Sequence, residues 1–230
     1  MKNKLYFHVY SCGDHVNIIM SEMLNRIESS GLAENCDCLN FCILGDEKYL
    51  NINFPKNSKI HTNKNPYELD TIHLLWSECQ EEDMNVCYVH TKGITKWDWI
   101  CVEDWRKYMS YFVIDKWRDR VDDLNVWDCT GVNLQGSREI YFEDHEIWGG
   151  ERGWPTHYSG NFWWSKSSHI KKIKNINEWY LDMHHEKRRI LPEMWLCQPE
   201  DSKYHCAWNS NVNHYGYRYT EENYVERKMK

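Results

Sequence analysis

Asn85-Val-Cys-Tyr-Val-His-Thr-Lys-Gly93 is the stretch that decides how this chain is read. Its first half is a short apolar run of the kind that forms a buried strand. Its second half ends abruptly in an imidazole, a hydroxyl, an ammonium and a glycine. Such a set packs poorly inside a core, but it suits the open edge of an α/β sheet, where phosphorylated ligands settle beyond the carboxyl ends of the strands. A second block, His157-Tyr-Ser-Gly-Asn-Phe-Trp-Trp164, carries polar groups and indoles that could answer it.

Upstream of this stretch the pattern alternates. Residues 5–10 read as an opening strand. A helix follows with apolar positions at Val16, Ile19, Met20, Met23, Leu24 and Ile27, and Gly31 stops it. Asp14 is placed to cap that helix. Cys38–Leu44 reads as a second strand and Ile60-His61 as a short third. Pro66 opens a helix through Leu69, Ile72, Leu75 and Trp76, closed by Glu81-Glu82-Asp83. Strands alternating with helices imply a mainly parallel sheet with right-handed crossovers.

Downstream, 98–115 has helical spacing, 126–134 resembles a strand, and 135–156 is Gly-rich and charged, as loops are. Asn161–Trp164 reads as a strand and Ser167–Ile173 as a short helix. Leu181–Leu196 reads as helical with a restart at Pro192, and the tail from Asp201 as irregular. No repeat, linker or low-complexity tract divides the 230 residues, a length that fits one α/β domain.

Composition narrows the classes. With 41% hydrophobic residues the chain is not mostly disordered. A net charge of −7 argues against general nucleic-acid binding, which needs an excess of Lys and Arg. No apolar run approaches the roughly 20 residues that cross a bilayer. The basic start Met1–Lys4 is followed by His8, Ser11, Gly13 and Asp14, unlike a signal peptide, so the expected location is cytoplasmic. Ten cysteines lack any C-x-x-C pair, and only Cys36, Cys38 and Cys42 cluster. They read as reduced structural thiols rather than a zinc site. Several of the thirteen tryptophans sit among polar residues (Trp97, Trp99, Trp148, Trp154, Trp163, Trp164, Trp208), where an indole face can pack on a sugar ring. The competing account is that they fill the core.

Tyr88-Val-His-Thr-Lys-Gly93 followed by Asp104-Trp-Arg-Lys-Tyr-Met109 resembles the His-Thr-Lys…Trp-Arg signature of glycosyltransferases in the rhamnan-synthesis family. The block at 157–170 resembles that family's later Gly-x-Phe-Trp segment, and Pro192-Glu-Met-Trp-Leu196 its late carboxylate. The match spans roughly residues 85–200 in order. The resemblance implies a GT-A-like single α/β domain with a mainly parallel central sheet flanked by helices. Residues 1–93 would form a nucleotide-binding half, and 94–230 an acceptor-binding half with the C-terminal tail. It also implies transfer of a sugar, rhamnose or a related hexose, from a UDP-, TDP- or GDP-linked donor onto a glycan acceptor. Most GT-A enzymes carry Asp-x-Asp for a divalent metal at this strand end. Lys92 stands there instead, which leaves metal dependence open.

Glycosyl transfer needs positive charge or N–H donors at the departing diphosphate and a base near the acceptor hydroxyl, around an oxocarbenium-like transition state. Lys92 beside Gly93 fits the first need, though a solvated loop lysine would look the same in sequence. Arg106 is either a bidentate phosphate contact or one face of an amphipathic helix. His90 can bond the diphosphate or the sugar, ligate a metal, or orient a loop. Thr91, and the loop Ser11–Asp14, which lies where GT-A folds meet the base and ribose, complete the donor side. Gly13 allows close approach, and Asp14 either binds the ribose or, more simply, caps the helix. Glu193, between Pro192 and an apolar Met-Trp-Leu run, is the expected base. An apolar border would raise its basicity, while the plain alternative is a carboxylate at a helix start. A base on the acceptor side implies inversion. His157, Ser159, Gly160, Asn161 and Trp163 form the expected sugar wall, with Tyr158 a generic neighbour. Conceivable metal ligands are Asp98, Asp128, Glu143, Asp144, His157 and His214, with Asp83 reading as a solvated turn. No spacing singles any of them out. His184-His185-Glu186 reads as a solvated helix face, and Asn209–Tyr215 as a segment placed to fold over a ligand. The second reading is a non-catalytic carbohydrate-binding protein, which would take sugar but no nucleotide. A metal hydrolase built on the twelve histidines lacks any H-E-x-x-H spacing.

Overall fold

Four parallel strands from the first ninety residues form one half of the central sheet. They are β1 (Lys2–Ser11), β2 (Cys38–Gly45), β3 (Ser58–Asn63) and β4 (Met84–His90). The structure is a computed structural model and describes residues 1–136, 154–182, 189–199 and 201–225. Between the strands run α1 (Val16–Ser29), the single turn α2 (Leu32–Asn35) and α3 (Leu69–Glu81). After β4 come α4 (Ile100–Ser110), a π-helical turn over Tyr111–Asp115, and α5 (Trp117–Asp123). The rest comprises β5 (Cys129–Val132), β6 (Leu134–Gln135), β7 (His157–Tyr158), β8 (Trp163–Lys166), α6 (Ser167–Ile170), α7 (Ile176–Asp182), α8 (Leu191–Trp195) and β9 (Tyr204–Trp208).

The result is one α/β domain with a mainly parallel seven-stranded sheet, in the order β3-β2-β1-β4-β8-β5-β9, flanked by helices. Within this sheet, among the described residues, only β8 runs against its neighbours, and β6 and β7 form a separate antiparallel pair. The chain builds β1, β2 and β3 outward in one direction, then returns to place β4 on the other side of β1. That reversal makes a switch point between β1 and β4, where the two connections diverge and leave a crevice.

Alternation along each strand sorts the core into two layers. Leu5, Phe7 and Val9, with Cys87, Val89 and Trp164, pack against α1, α4 and the π turn. Tyr6, Val86, Tyr88 and Trp163 face α3, α6, α7 and α8. Burying each Leu, Phe or Val side chain contributes about 1.5–3 kcal/mol. The amino-terminal edge of the sheet is closed by charge: Lys4 bonds Glu78 at 2.6 Å and also Glu82, and the Tyr6 hydroxyl donates to Glu78 at 2.7 Å.

The sequence expectations differ from the structure most clearly in four places, besides α6, which ends at Ile170, and α7, which starts at Ile176, ahead of the helix expected from Leu181. The helix expected over 98–115 relaxes into a π turn from Tyr111, and the Trp164 indole N–H bonds the Val113 carbonyl there at 2.9 Å. The strand expected at Asn161 begins only at Trp163, because Asn161 adopts φ 60°. The strand expected over 126–134 is split by Asn133 at φ 51° into β5 and β6. The tail from Asp201 contains β9, paired in parallel with β5 at the sheet edge. Half-exposed edge strands carry no clean apolar alternation, so this one is hard to read in advance. Most of the expected 135–156 loop, Glu143 and Asp144 within it, and His184-His185-Glu186 lie outside the described residues.

The thiols of Cys36, Cys42 and Cys79 are pushed up to about 12 by burial, which makes them inert packing groups. Among the described residues, no helix is long and apolar enough to cross a membrane.

Candidate functional site

The carboxyl end of β4 turns sharply at Gly93, which adopts φ 84°, and a Cβ there would lie 2.5 Å from Val102. This turn seats Lys92 on the switch point with little freedom; the residue is 8% exposed. Its ammonium sits 4.1 Å from the Trp105 ring centre on α4, within cation–π range. It also stands 3.5 Å from a Glu193 carboxylate oxygen. The two charges therefore meet although 101 residues separate them along the chain (193 − 92). Pro192 in the first turn of α8 aims Glu193 at this point. The Glu193 side chain is 28% exposed and faces the ammonium, not the apolar wall expected from Met-Trp-Leu.

Around this pair lies a polar network. The Gly160 carbonyl oxygen accepts from His90 Nε2 at 2.9 Å. Gly160 must be glycine: φ is 93°, and a Cβ would lie 2.4 Å from Met109 Sδ. Asn161 donates through Nδ2 to Glu68 at 2.7 Å and accepts from the Trp163 indole N–H at 2.8 Å. The Tyr88 hydroxyl donates to the same Glu68 oxygen at 2.6 Å. Glu68 is thus central to the site, and sequence reasoning overlooked it. In Asn-Pro-Tyr-Glu-Leu-Asp it reads as an ordinary helix-start carboxylate, and only the crossover from β3 to α3 brings it to β4. Its chain neighbour Tyr67 holds φ 60°, a strained value for a bulky residue.

Several expected site residues are engaged elsewhere. Arg106 is 4% exposed and clamps Glu22 of α1 through Nε and Nη2, at 3.3 and 2.8 Å. Its Nη1 donates to the Lys92 carbonyl at 3.2 Å. It positions the turn instead of presenting itself to a phosphate, because the group is buried and each of its three nitrogens already has a partner. The buried Thr91 hydroxyl accepts from the Tyr10 N–H, and the Ser11 hydroxyl donates to the Asp46 carbonyl. Gly13 lies against the His15 ring, which stacks on Trp97. Asp14 makes no side-chain cap; His15 is the residue before α1.

Trp163 is 1% exposed, stacked on Tyr88, and so belongs to the core rather than to a sugar-facing wall. Trp164 is buried on the opposite layer, as strand alternation requires. His157 is buried on β7 with Nδ1 donating to the Pro155 carbonyl at 2.7 Å. The Ser159 N–H bonds the Asn133 carbonyl. Trp97, Trp99 and Tyr215 are half-exposed, and Lys96 lies over the last two. Tyr215 packs edge-on against Trp105, which brings the 209–217 segment over the Lys92 side of the site.

Of the conceivable metal ligands, Asp98 is exposed, Asp83 pairs with Lys171, and Asp128 bonds Lys166 and the Lys203 N–H. His214 is stacked on Trp105 and bonded to Ser210 and Asn133. Among the described residues, no three His, Cys, Asp or Glu side chains converge as a metal site would require. Two cavities of about 330 and 480 Å³ are lined by α4, the π turn, α5 and the C-terminal segment; Trp208 lines the larger one, and none of the donor-side or sugar-wall residues lines either. The site is defined by the convergence of side chains.

No protein-family model matches this chain, and no curated protein sequence matches it. Among solved structures, it is similar to 4-diphosphocytidyl-2C-methyl-D-erythritol synthase from Anaerococcus prevotii. The TM-score is 0.46 and the identity 11%, covering 96% of this chain and 94% of that one. So loose an overlay says nothing about the site.

Proposed function

We propose that this chain is a glycosyltransferase that moves a sugar from a UDP-, TDP- or GDP-linked donor to a glycan acceptor with inversion. Rhamnose or a related hexose is the sugar suggested by the rhamnan-family resemblance of residues 85–200. The observation that carries the proposal is the meeting of Lys92 and Glu193 at the switch point between β1 and β4. Residues 1–93 supply the donor side, and 94–230 the acceptor side. Lys92 takes the diphosphate as a charge-assisted donor. In the transfer step the acceptor oxygen forms a bond to the anomeric carbon while the carbon–oxygen bond to the diphosphate breaks. The electron pair leaves on the diphosphate, and the acceptor proton passes to Glu193.

Inversion places base and leaving group on opposite faces of the anomeric carbon; the two carboxyl groups of inverting glycosidases stand about 6.5–9.5 Å apart for a similar reason. At 3.5 Å, Lys92 and Glu193 cannot straddle a sugar, so the ion pair must part when the donor's phosphates arrive. The competing proposal, a carbohydrate-binding protein without transfer, draws on the half-exposed Trp97, Trp99 and Tyr215.

Melting curves with UDP, TDP, GDP and CMP, with and without manganese, separate the two. The glycosyltransferase reading expects stabilisation by one nucleoside diphosphate, and binding at least tenfold weaker in Lys92→Ala, from the loss of a charged hydrogen bond worth about 1.5–3 kcal/mol. Stabilisation by sugars but by no nucleotide would favour the binding protein.

A further inference from the structure

Two hydrogen-bond acceptors face each other at the carboxyl end of β4. The Gly160 carbonyl can only accept, so at 2.9 Å the His90 Nε2 carries the proton and donates it. Burial pushes the His90 pKa down to about 4, and the nearby Lys92 ammonium acts in the same direction. The ring is therefore neutral at pH 7, and its other nitrogen, Nδ1, presents a lone pair. Nδ1 stands 3.8 Å from Glu68 Oε1, too far for a hydrogen bond and without a proton to share.

The carboxylate cannot turn away. Its Oε2 accepts from the Tyr88 hydroxyl and from Asn161 Nδ2, and the Trp163 indole N–H fixes which end of the Asn161 amide donates. Neither Oε1 nor Nδ1 has a hydrogen-bond partner among the described residues. The two side chains keep 17% and 12% of their surface open, so the pair borders the solvent-facing crevice rather than being sealed in the core. A carboxylate present only to hold Tyr88 and Asn161 would need one oxygen, not a second aimed at a lone pair. An ionised diphosphate offers only acceptors and cannot satisfy this pair; a polyol offers donors.

We propose that Glu68 Oε1 and His90 Nδ1 form a recognition pair for two neighbouring hydroxyls of the transferred sugar, each hydroxyl donating to one acceptor. This rests on the glycosyltransferase reading and assigns His90 to the sugar rather than to the diphosphate, leaving the phosphates to Lys92. Glu68 then determines specificity: a sugar lacking either hydroxyl leaves a fixed acceptor unpaired, which selective sites penalise heavily.

Glu68→Gln tests it. The amide oxygen can still accept from Tyr88 and Asn161, while its NH2 replaces Oε1 and points a donor at Nδ1. Calorimetric titrations of wild type and variant use UDP against UDP-glucose, TDP against TDP-rhamnose, and GDP against GDP-mannose. The expected result is a nucleoside-diphosphate Kd changed less than twofold, with the affinity added by the sugar reduced at least tenfold. An unchanged sugar contribution overturns the pair. If no nucleoside diphosphate binds the wild type, the glycosyltransferase reading fails, and the same comparison with free glucose, rhamnose and mannose decides the pair separately. A ligand-independent check is the ¹⁵N spectrum of histidine-labelled wild type, with His90 assigned from His90→Gln. Nδ1 should be unprotonated at pH 7, and a proton on Nδ1 would refute the inference even if Glu68→Gln fails to fold.

Discussion

Glu193→Gln gives the sharpest test of the catalytic arrangement, because binding and turnover should move in opposite directions. In the structure the Lys92 ammonium is held 3.5 Å from the Glu193 carboxylate, so a donor's phosphates must compete with that carboxylate for the amine. Coulomb attraction at this distance is about 1 kcal/mol in water and about 5 kcal/mol at an effective dielectric of 20. Because 28% of the Glu193 side chain is open to water, the lower end applies, and the net competition is about 1 kcal/mol. Glutamine keeps the shape and removes the charge, so the nucleoside diphosphate should bind about fivefold tighter to Glu193→Gln. Turnover should fall at least a hundredfold, since a general base commonly contributes that much. Calorimetry at low salt reads the first effect, and release of nucleoside diphosphate under single-turnover conditions reads the second. Weaker binding in the variant would mean that Glu193 itself holds the nucleotide. Retained turnover would remove it from the mechanism.

Arg106→Ala should destabilise the fold by about 2–3 kcal/mol in urea unfolding, since it strands Glu22, with a loss of nucleotide affinity in the folded protein smaller than that of Lys92→Ala. A large affinity loss without a stability loss would return Arg106 to the phosphate site. Acidification should also unfold the chain early. His8, His90, His169 and His214 each have a pKa lowered to about 4 by burial. The unfolded chain therefore takes up protons near pH 6.5 while the folded chain does not, and stability falls from about pH 6.5 down to about 4. Asp115, raised to about 6 by burial, works the opposite way over roughly pH 6 to 3.8, but it is one group against four. The net loss between about pH 7 and 4.5 amounts to several kcal/mol, a large share of the stability of a typical domain. A urea midpoint that stays constant over this range would contradict the buried, neutral histidines.

Local physics made much of the fold legible. Apolar periodicity placed β1, α1, β2, α3 and β4 within a few residues, because each is long or strongly patterned, and it caught only the middle of the exposed β3. It failed where a single residue decides the backbone, as at Asn133 and Asn161, both in the left-handed region, and at β9, an edge strand with little to bury. The indoles of 163–164 illustrate the site-level failure. Their residue type suggested a sugar wall, but strand alternation buries one on each face of the sheet. Lys92, Glu193, His90 and Gly160 do meet, whereas Ser11, Thr91, Arg106 and Trp163 support them from within the structure.

By itself, the amino-acid order determined that this is a strand–helix alternating domain and that a lysine-bearing strand end is its unusual feature. Both follow from periodicity and side-chain chemistry, which act between near neighbours. Only the tertiary structure decided which carboxylates reach that strand end, and it chose Glu68 as well as Glu193. Those contacts depend on how crossovers return distant segments to one edge of the sheet, and no local pattern encodes that return.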